Sequence, residues 1–183
     1  HGVMAYICGD NTAKNYGRLS LNPLHHLDPL GTIFPILLIL SGSSFVFGWA
    51  KPVPINYYRL KYGRLGEFLV AIAGVLSNIL LAIIGMFLFK HFYEILAPLH
   101  LLEPVLYMIS LNILLAVFNI MPIPPLDGSR VLASIGSYDL RDSIFHMDRY
   151  GIFIIMILSW TGFLYKFIAP VYMAILSFLD KLI

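Results

Sequence analysis

One carboxylate in this chain stands where it could do chemistry. Asp127 follows a long apolar run and closes the stretch NIMPIPPLDG at 119–128. A carboxylate at membrane depth is costly unless it meets a partner, a cation or water. Asp127 could therefore bind a metal ion, or it could begin a loop and cap the next helix. The residue type alone leaves both interpretations open.

The prolines before Asp127 favour its interpretation as a metal ligand. Pro122, Pro124 and Pro125 exclude a regular helix through this stretch, and Gly128 allows the backbone to turn sharply. Non-helical backbone at membrane depth is tolerated where it is buried in protein or lines a wet cavity. The stretch is thus predicted to be an extended support whose backbone could pair with an unwound peptide by strand addition.

Two amides in apolar surroundings are further candidates. Asn78 lies in AIAGVLSNILLAII and Asn119 lies in LLAVFNIMP. A buried amide must find hydrogen-bond partners, so each could bond to a neighbouring helix or face a polar ligand. Gly74 is four residues before Asn78 and shares its helix face, which permits close backbone approach. A third amide, Asn112, is predicted to serve packing only.

A second metal site is a weaker hypothesis. His25, His26 and Asp28 lie close together in NPLHHLDP. Adjacent histidines do not suit two ligands of one helix-borne site, so a surface or loop-packing role is favoured. Cys8 is the single cysteine, which excludes an internal disulfide and a cysteine-based zinc site.

The composition indicates whether the protein lies in water or in a membrane. Of the 183 residues, 59% are hydrophobic and 12% are charged, against about 25% charged in soluble domains. This balance indicates a membrane protein. The net charge of +2 comes without a basic run, which argues against a nucleic-acid partner.

Charge-free windows locate the predicted membrane helices, because a charge at the bilayer centre is costly. The sequence predicts an all-α polytopic membrane protein with about four to five membrane helices of roughly 20 residues. Pro170 is expected in the first turn of the last helix. The polar segment 9–32 is predicted to be irregular or β-like, a short strand pair or a re-entrant loop. The helices are predicted at Ile36–Trp49, 66–89, 104–121, 149–163 and 167–182.

Lysine and arginine indicate the orientation in the membrane. The stretches 51–64 and 128–149 carry several cationic residues, whereas 90–103 carries only Lys90. The positive-inside rule therefore predicts that 51–64 and 128–149 are cytoplasmic loops of a multi-pass protein.

Several motifs of the chain resemble those of a known family. NIMPIPPLDG is similar to the second metal motif of the site-2 proteases, zinc metalloproteases that cut substrates within the membrane. AGVLSN at 73–78 is similar to their middle motif. FGWAKPVPIN at 47–56 and GDNTAKNYGRLSLNPLHHLDPLGT at 9–32 resemble the compact bacterial and archaeal branch, which lacks an inserted PDZ domain. The resemblance implies a single membrane-embedded protease core over 1–183, in a prokaryotic cell membrane.

The resemblance also implies a site. The family carries H-E-x-x-H, which this chain does not contain; His1 aligns with the second histidine, and the first histidine and the general-base glutamate are expected upstream. His1 and Asp127 are then implied ligands of Zn²⁺. The implied substrate is a transmembrane segment of another protein, held by Asn78, Asn119, Pro122 and Pro124. Without the upstream residues, this chain by itself is expected to be inactive.

Three alternatives stay open at the level of sequence. His1 could be a residue left by cloning. The protein could be a catalytically inactive homologue that acts as a membrane binding or regulatory protein, which an upstream sequence without H-E would indicate. It could also be a small transporter that uses Asp127, although no internal repeat of the kind common in transporters is visible.

Overall fold

Every regular element that the structure describes is helical. The computed structural model describes residues 1–20, 22–42, 48 and 51–183, which fall into two compact units, His1–Gly66 and Glu67–Ile183. The two units are treated separately below. Within these residues the helices are α1 Gly2–Ile7, α2 Thr12–Asn15, α3 Pro29–Leu40, α4 Gly63–His91, α5 Tyr93–Leu96, α6 Leu102–Asn119, α7 Asp127–Ile135, α8 Tyr138–Trp160 and α9 Phe163–Leu182.

In the first unit, the polar segment 9–32 is irregular with short helical turns. The β-like alternative is wrong for its described residues, none of which forms a strand. Side-chain caps explain the result: Asn22 accepts a hydrogen bond from the Leu24 N–H at 3.0 Å and starts a short 3₁₀ turn. Asp28 accepts from the Gly31 N–H at 2.8 Å and starts α3. Such caps favour helical turns over strands.

Two buried charged side chains organise this unit. Asp10 is fully buried and accepts hydrogen bonds from the backbone N–H groups of Thr12 at 3.0 Å and Asn56 at 2.7 Å. Arg18 is also buried, and its guanidinium donates to the carbonyls of His25, Lys51 and Pro52. Each side chain thus ties segments that are distant in sequence, which a loop-rich unit needs in place of a regular ladder.

The predicted helix at Ile36–Trp49 is displaced. Helix α3 begins at Pro29, behind the Asp28 cap, because proline suits the first helical position. It ends at Leu40, and Gly42 follows in the left-handed conformation that commonly terminates helices. The rest of the predicted span includes residues 43–47 and 49–50, which lie outside the described residues.

The second unit contains the membrane helices. Three described helices are long and apolar enough to cross a bilayer: α4, α6 and α9, with mean hydropathies of 2.5, 1.6 and 1.4. They pack through a core of Ala82, Met86, Ile109, Ile113, Val117 and Leu179. The predictions at 66–89 and 104–121 are confirmed to within a few residues. The protein is an all-α membrane protein, as the sequence predicts.

The last two helices differ from the prediction. Helix α8 begins at Tyr138, well before the predicted residue 149, so much of the predicted loop 128–149 is helical. Helix α9 begins at Phe163 and continues through Lys166, so Pro170 lies in the helix interior and not in its first turn. Lys166 is exposed, and its long stem lets an ammonium group reach water without ending the helix.

Candidate functional site

Asp127 is the first residue of α7 and is half-buried. Its neighbour Leu126 is extended and provides no side-chain cap. The stretch 120–126 that precedes Asp127 is non-helical, as predicted, whereas Asp127 itself belongs to the first helical turn. A carboxylate in this position is stabilised by the positive end of the helix dipole. The placement suits a negatively charged side chain.

The proline run before Asp127 forms a turn. The Leu126 N–H donates to the Ile123 carbonyl at 2.8 Å, and the Pro124–Pro125 peptide is cis. Pro122 is exposed and Pro124 is buried. The predicted extended edge is thus wrong: the chain folds back on itself, the prolines have no N–H to offer, and the Leu126 N–H is already used.

Two glycines allow helices to press against this turn. A Cβ at Gly128 would lie 2.0 Å from the Ile120 carbonyl oxygen, so α7 begins in direct backbone contact with the end of α6. A Cβ at Gly151 of α8 would lie 2.4 Å from Pro125 Cδ. Gly128 was expected to permit a sharp turn, but close approach is its role. The sequence did not indicate the role of Gly151, because the residue it packs against, Pro125, lies in a distant segment.

The predicted amides take two different roles. The Asn112 side chain is buried and donates to the Met108 carbonyl at 2.8 Å, as expected of a packing residue. Asn78 lies within α4, and Asn119 is the last residue of α6; both are half-buried. Among the described residues, neither of these two side chains has a hydrogen-bond partner.

His1 lies in the first unit, at the start of α1. Its carbonyl accepts from the Ala5 N–H at 2.8 Å, and its side chain is exposed. Gly2 packs so closely on Leu19 that a Cβ would lie 2.9 Å from Leu19 Cδ2. His1 and Arg18 are among the residues that line a cavity of about 220 Å³. Asp127, Asn78, Asn119, Pro122 and Pro124 belong to the second unit.

The metal donors fit zinc in kind. Imidazole and carboxylate are ligands that Zn²⁺ accepts, and catalytic zinc takes three protein ligands. Within the parts of the chain that the structure describes, no three His, Cys, Asp or Glu side chains form a group that could hold a metal ion. The described residues thus contain no complete zinc ligand set.

The second predicted metal group serves loop packing. The His26 Nε2 lies 2.8 Å from the Ser20 carbonyl oxygen, and the Asp28 carboxylate is engaged in capping α3. His25 is exposed, and its carbonyl accepts from Arg18. The structure thus favours the loop-packing interpretation of these residues over a metal site.

A charged cluster beside α7 escaped the sequence analysis. We call it the α7 anchor cluster; its members are Glu67, Arg130, Arg141, Phe145 and Asp148. Arg130 forms an ion pair with Asp148, and its guanidinium carbon lies 4.1 Å from the centre of the Phe145 ring. Arg141 lies 5.0 Å from the same ring centre and binds Glu67 through two nitrogens, at 2.6 and 3.2 Å. The cluster joins α4, α7 and α8.

Comparison with known proteins identifies the family. The model of peptidase family M50 matches residues 90–161, which include the proline turn and Asp127. The "Putative zinc metalloprotease YwhC" of Bacillus subtilis is 42% identical over 167 residues, covering 88% of this chain and 73% of that protein. The "Putative zinc metalloprotease Rip2" of Mycolicibacterium smegmatis is 25% identical over 164 residues, covering 88% of this chain and 61% of that protein.

No solved structure matches the chain. The matched region contains the motif around Asp127, and the family agrees with the apolar helices α4, α6 and α9. The chain belongs to peptidase family M50, the site-2 protease family, and is a membrane-embedded metalloprotease.

Proposed function

We propose that the protein is an intramembrane zinc endopeptidase that cleaves membrane-spanning segments of other proteins. The observation that carries this proposal is the placement of Asp127, a half-buried carboxylate on the first turn of α7, in the unit that contains the three described helices able to cross a bilayer. Family membership supports the protease activity. The three membrane-capable helices of the same unit support a membrane-spanning segment as the substrate class.

Asp127 and His1 are proposed as two of the zinc ligands. Asp127 lies in the first turn of α7, where the positive end of the helix dipole favours a negatively charged side chain. His1 offers an exposed imidazole at the start of α1, beside a cavity. When bound, zinc supplies a Lewis acid that polarises a scissile carbonyl.

Asn78 and Asn119 are proposed to hold the substrate. A helical peptide hides its carbonyls in internal hydrogen bonds, so a membrane segment must unwind locally before it is cut. The unwound carbonyls and N–H groups then need partners in an apolar setting. The two half-buried amides can donate to and accept from such a strand. Pro122 is exposed and can contact it, whereas the buried Pro124 shapes the turn that precedes Asp127.

The protein is further proposed to lie in a bacterial cell membrane with the stretches 51–64 and 128–149 on the cytoplasmic side. The cationic residues in these stretches support this orientation. The source of the Bacillus relative supports the bacterial assignment. The lipid bilayer and a transmembrane protein are thus the proposed partners.

Asp127→Asn in the full-length protein tests the proposal. The amide keeps the shape of the carboxylate but is a neutral, weaker ligand, so zinc content is expected to fall and cleavage to be lost. Zinc is measured on the purified protein, and cleavage on a reconstituted single-pass substrate whose membrane segment is rich in helix-weakening glycine. Asp142→Asn, at an exposed carboxylate of α8, is the matched control and should retain both properties.

Cleavage and zinc content that both survive Asp127→Asn would contradict the ligand assignment. A wild-type protein that retains zinc but never cuts a membrane segment would instead favour the inactive binding protein considered above. The two outcomes separate the chemistry of the site from the choice of substrate.

A further inference from the structure

We propose that Arg130 is a positioning residue that orients the Asp127 carboxylate by anchoring α7 to α8. The inference rests on the proposed ligand role of Asp127. Arg130 does not touch the metal or the substrate in this assignment. It acts through the helix that carries Asp127.

Helix α7 needs external anchors to hold an orientation. It has nine residues, and helices this short are marginal without tertiary contacts. Its start is fixed at Gly128, which lies against the Ile120 carbonyl, and at the fully buried Ser129, whose hydroxyl donates to the Leu126 carbonyl at 2.7 Å. The Gly128 contact fixes where the helix begins, and the Ser129 hydrogen bond is local to its first turn.

Arg130 links α7 to the neighbouring helix α8. It follows Asp127 by three residues, so the two side chains lie on neighbouring positions of one helix face. Its long side chain reaches α8, pairs with Asp148 and stacks on Phe145. A rotation of α7 that swings Asp127 away must also break these contacts. The orientation of the carboxylate is thus coupled to the Arg130 anchor.

The anchor is itself held by the rest of the α7 anchor cluster. Two guanidinium groups face the Phe145 ring, and their mutual repulsion is offset because each has its own carboxylate, Asp148 for Arg130 and Glu67 for Arg141. The side chains of Arg130 and Arg141 are only 17% and 19% exposed. Solvent therefore screens these contacts less than it screens surface pairs. A planar guanidinium can stack and pair at once, which lysine cannot.

Zinc binding to the full-length, detergent-solubilised protein tests the inference. The variants are Arg130→Met, Arg130→Lys and the control Arg149→Met, which removes an exposed arginine of α8 that lies over Tyr150. The readouts are zinc affinity by chelator competition, hydrogen exchange of the α7 peptide in metal-free protein, and thermal stability. Arg130→Met is expected to weaken zinc binding about tenfold or more and to speed exchange in α7. Arg130→Lys should fall in between, and Arg149→Met should match wild type.

Specific results would overturn the inference. Arg130→Met protein that unfolds at a lower temperature but binds zinc as tightly as wild type would show a structural role only. If Arg130→Met does not fold, Phe145→Leu replaces it, because leucine keeps an apolar side chain and removes the stacking surface. Unchanged zinc affinity in Phe145→Leu would likewise overturn the inference.

Asp127→Asn measured in parallel separates this inference from the proposed function. Weakened zinc binding in Asp127→Asn together with unchanged binding in the Arg130 variants overturns the positioning role and leaves the ligand assignment standing. Unchanged zinc binding in Asp127→Asn overturns both, because no ligand is then left to position.

Discussion

Asp10 is fully buried, yet its environment favours the charged form. Burial by itself raises the pKa of this carboxyl, but the hydrogen bonds from Thr12 and Asn56 and the charge of Arg59 lower it more. The net pKa of Asp10 lies below its ordinary value. Asp10 therefore holds α2 and the Asn56 segment together as an ionised acceptor of several hydrogen bonds.

Asp10→Asn is predicted to destabilise the first unit by about 1–3 kcal/mol at neutral pH, because the amide cannot accept from both Thr12 and Asn56. Because the pKa of Asp10 is lower in the folded state, its charged form stabilises the fold above the unfolded-state pKa of about 3.9. This stabilisation is lost as the pH falls through the folded-state pKa. Wild type should therefore lose stability in acid more steeply than the variant. Unfolding in detergent as a function of pH measures both effects.

Asp28→Asn is the matched control for that experiment. Asp28 caps α3 through one hydrogen bond to the Gly31 N–H, and asparagine caps helices about as well as aspartate. Its substitution should leave neutral-pH stability nearly unchanged. Equal stability of Asp10→Asn and wild type across the pH range would contradict the role assigned to Asp10.

Among the elements, α7 depends most on close packing. Its first turn meets the last turn of α6 at Gly128, where no space exists for a side chain. The proline turn that joins the two helices is pressed from the other side by Gly151 of α8. The position of Asp127 is therefore decided by backbone contacts among three helices.

Gly128→Ala is predicted to destabilise the second unit by about 1–3 kcal/mol and to reduce zinc retention, because the added methyl group would force α7 away from the Ile120 carbonyl. Thermal unfolding and zinc content of the purified protein check the two effects. Ile135→Ala, at an exposed residue of the same helix, should change neither. A Gly128→Ala protein with wild-type stability would show that α6 and α7 are not in contact at this point.

For the whole molecule, the membrane is the main determinant of structure. Three described helices carry continuous apolar segments, and many of their large hydrophobic side chains are exposed. Such exposure is unfavourable in water and expected against lipid tails. Two partly buried arginines of the second unit are each paired with a carboxylate, Arg130 with Asp148 and Arg141 with Glu67.

Single-cysteine labelling with a membrane-impermeant maleimide checks the predicted orientation. Cysteines placed at the exposed residues Tyr62 and Asp142 should react only after the cells are permeabilised, whereas one at Leu99 should react in intact cells. The native Cys8 is buried and should give a low background, which the unmodified protein measures. Labelling of positions 62 and 142 from opposite sides would contradict the positive-inside prediction.

The amino-acid sequence alone determined that the protein lies in a membrane, where its main membrane helices are, and which carboxylate is the candidate metal ligand. An uncharged segment about as long as a bilayer is thick leaves few possible positions for a membrane helix. The bounds of α4 and α6 were therefore predicted to within a few residues. The carboxylate of Asp127 after a proline run was equally visible, because such a residue is costly at membrane depth. These features follow from local composition and spacing.

Tertiary structure alone decided where charges could be tolerated and how the candidate site is supported. Arg141 was expected in the predicted loop 128–149, but it lies within α8, where its guanidinium binds Glu67 of α4. The proline run became a turn and not a strand because α7 and α8 pack against it. Such contacts join residues that are far apart in the chain. The spacing of apolar residues along the sequence does not predict which distant residue a side chain will contact.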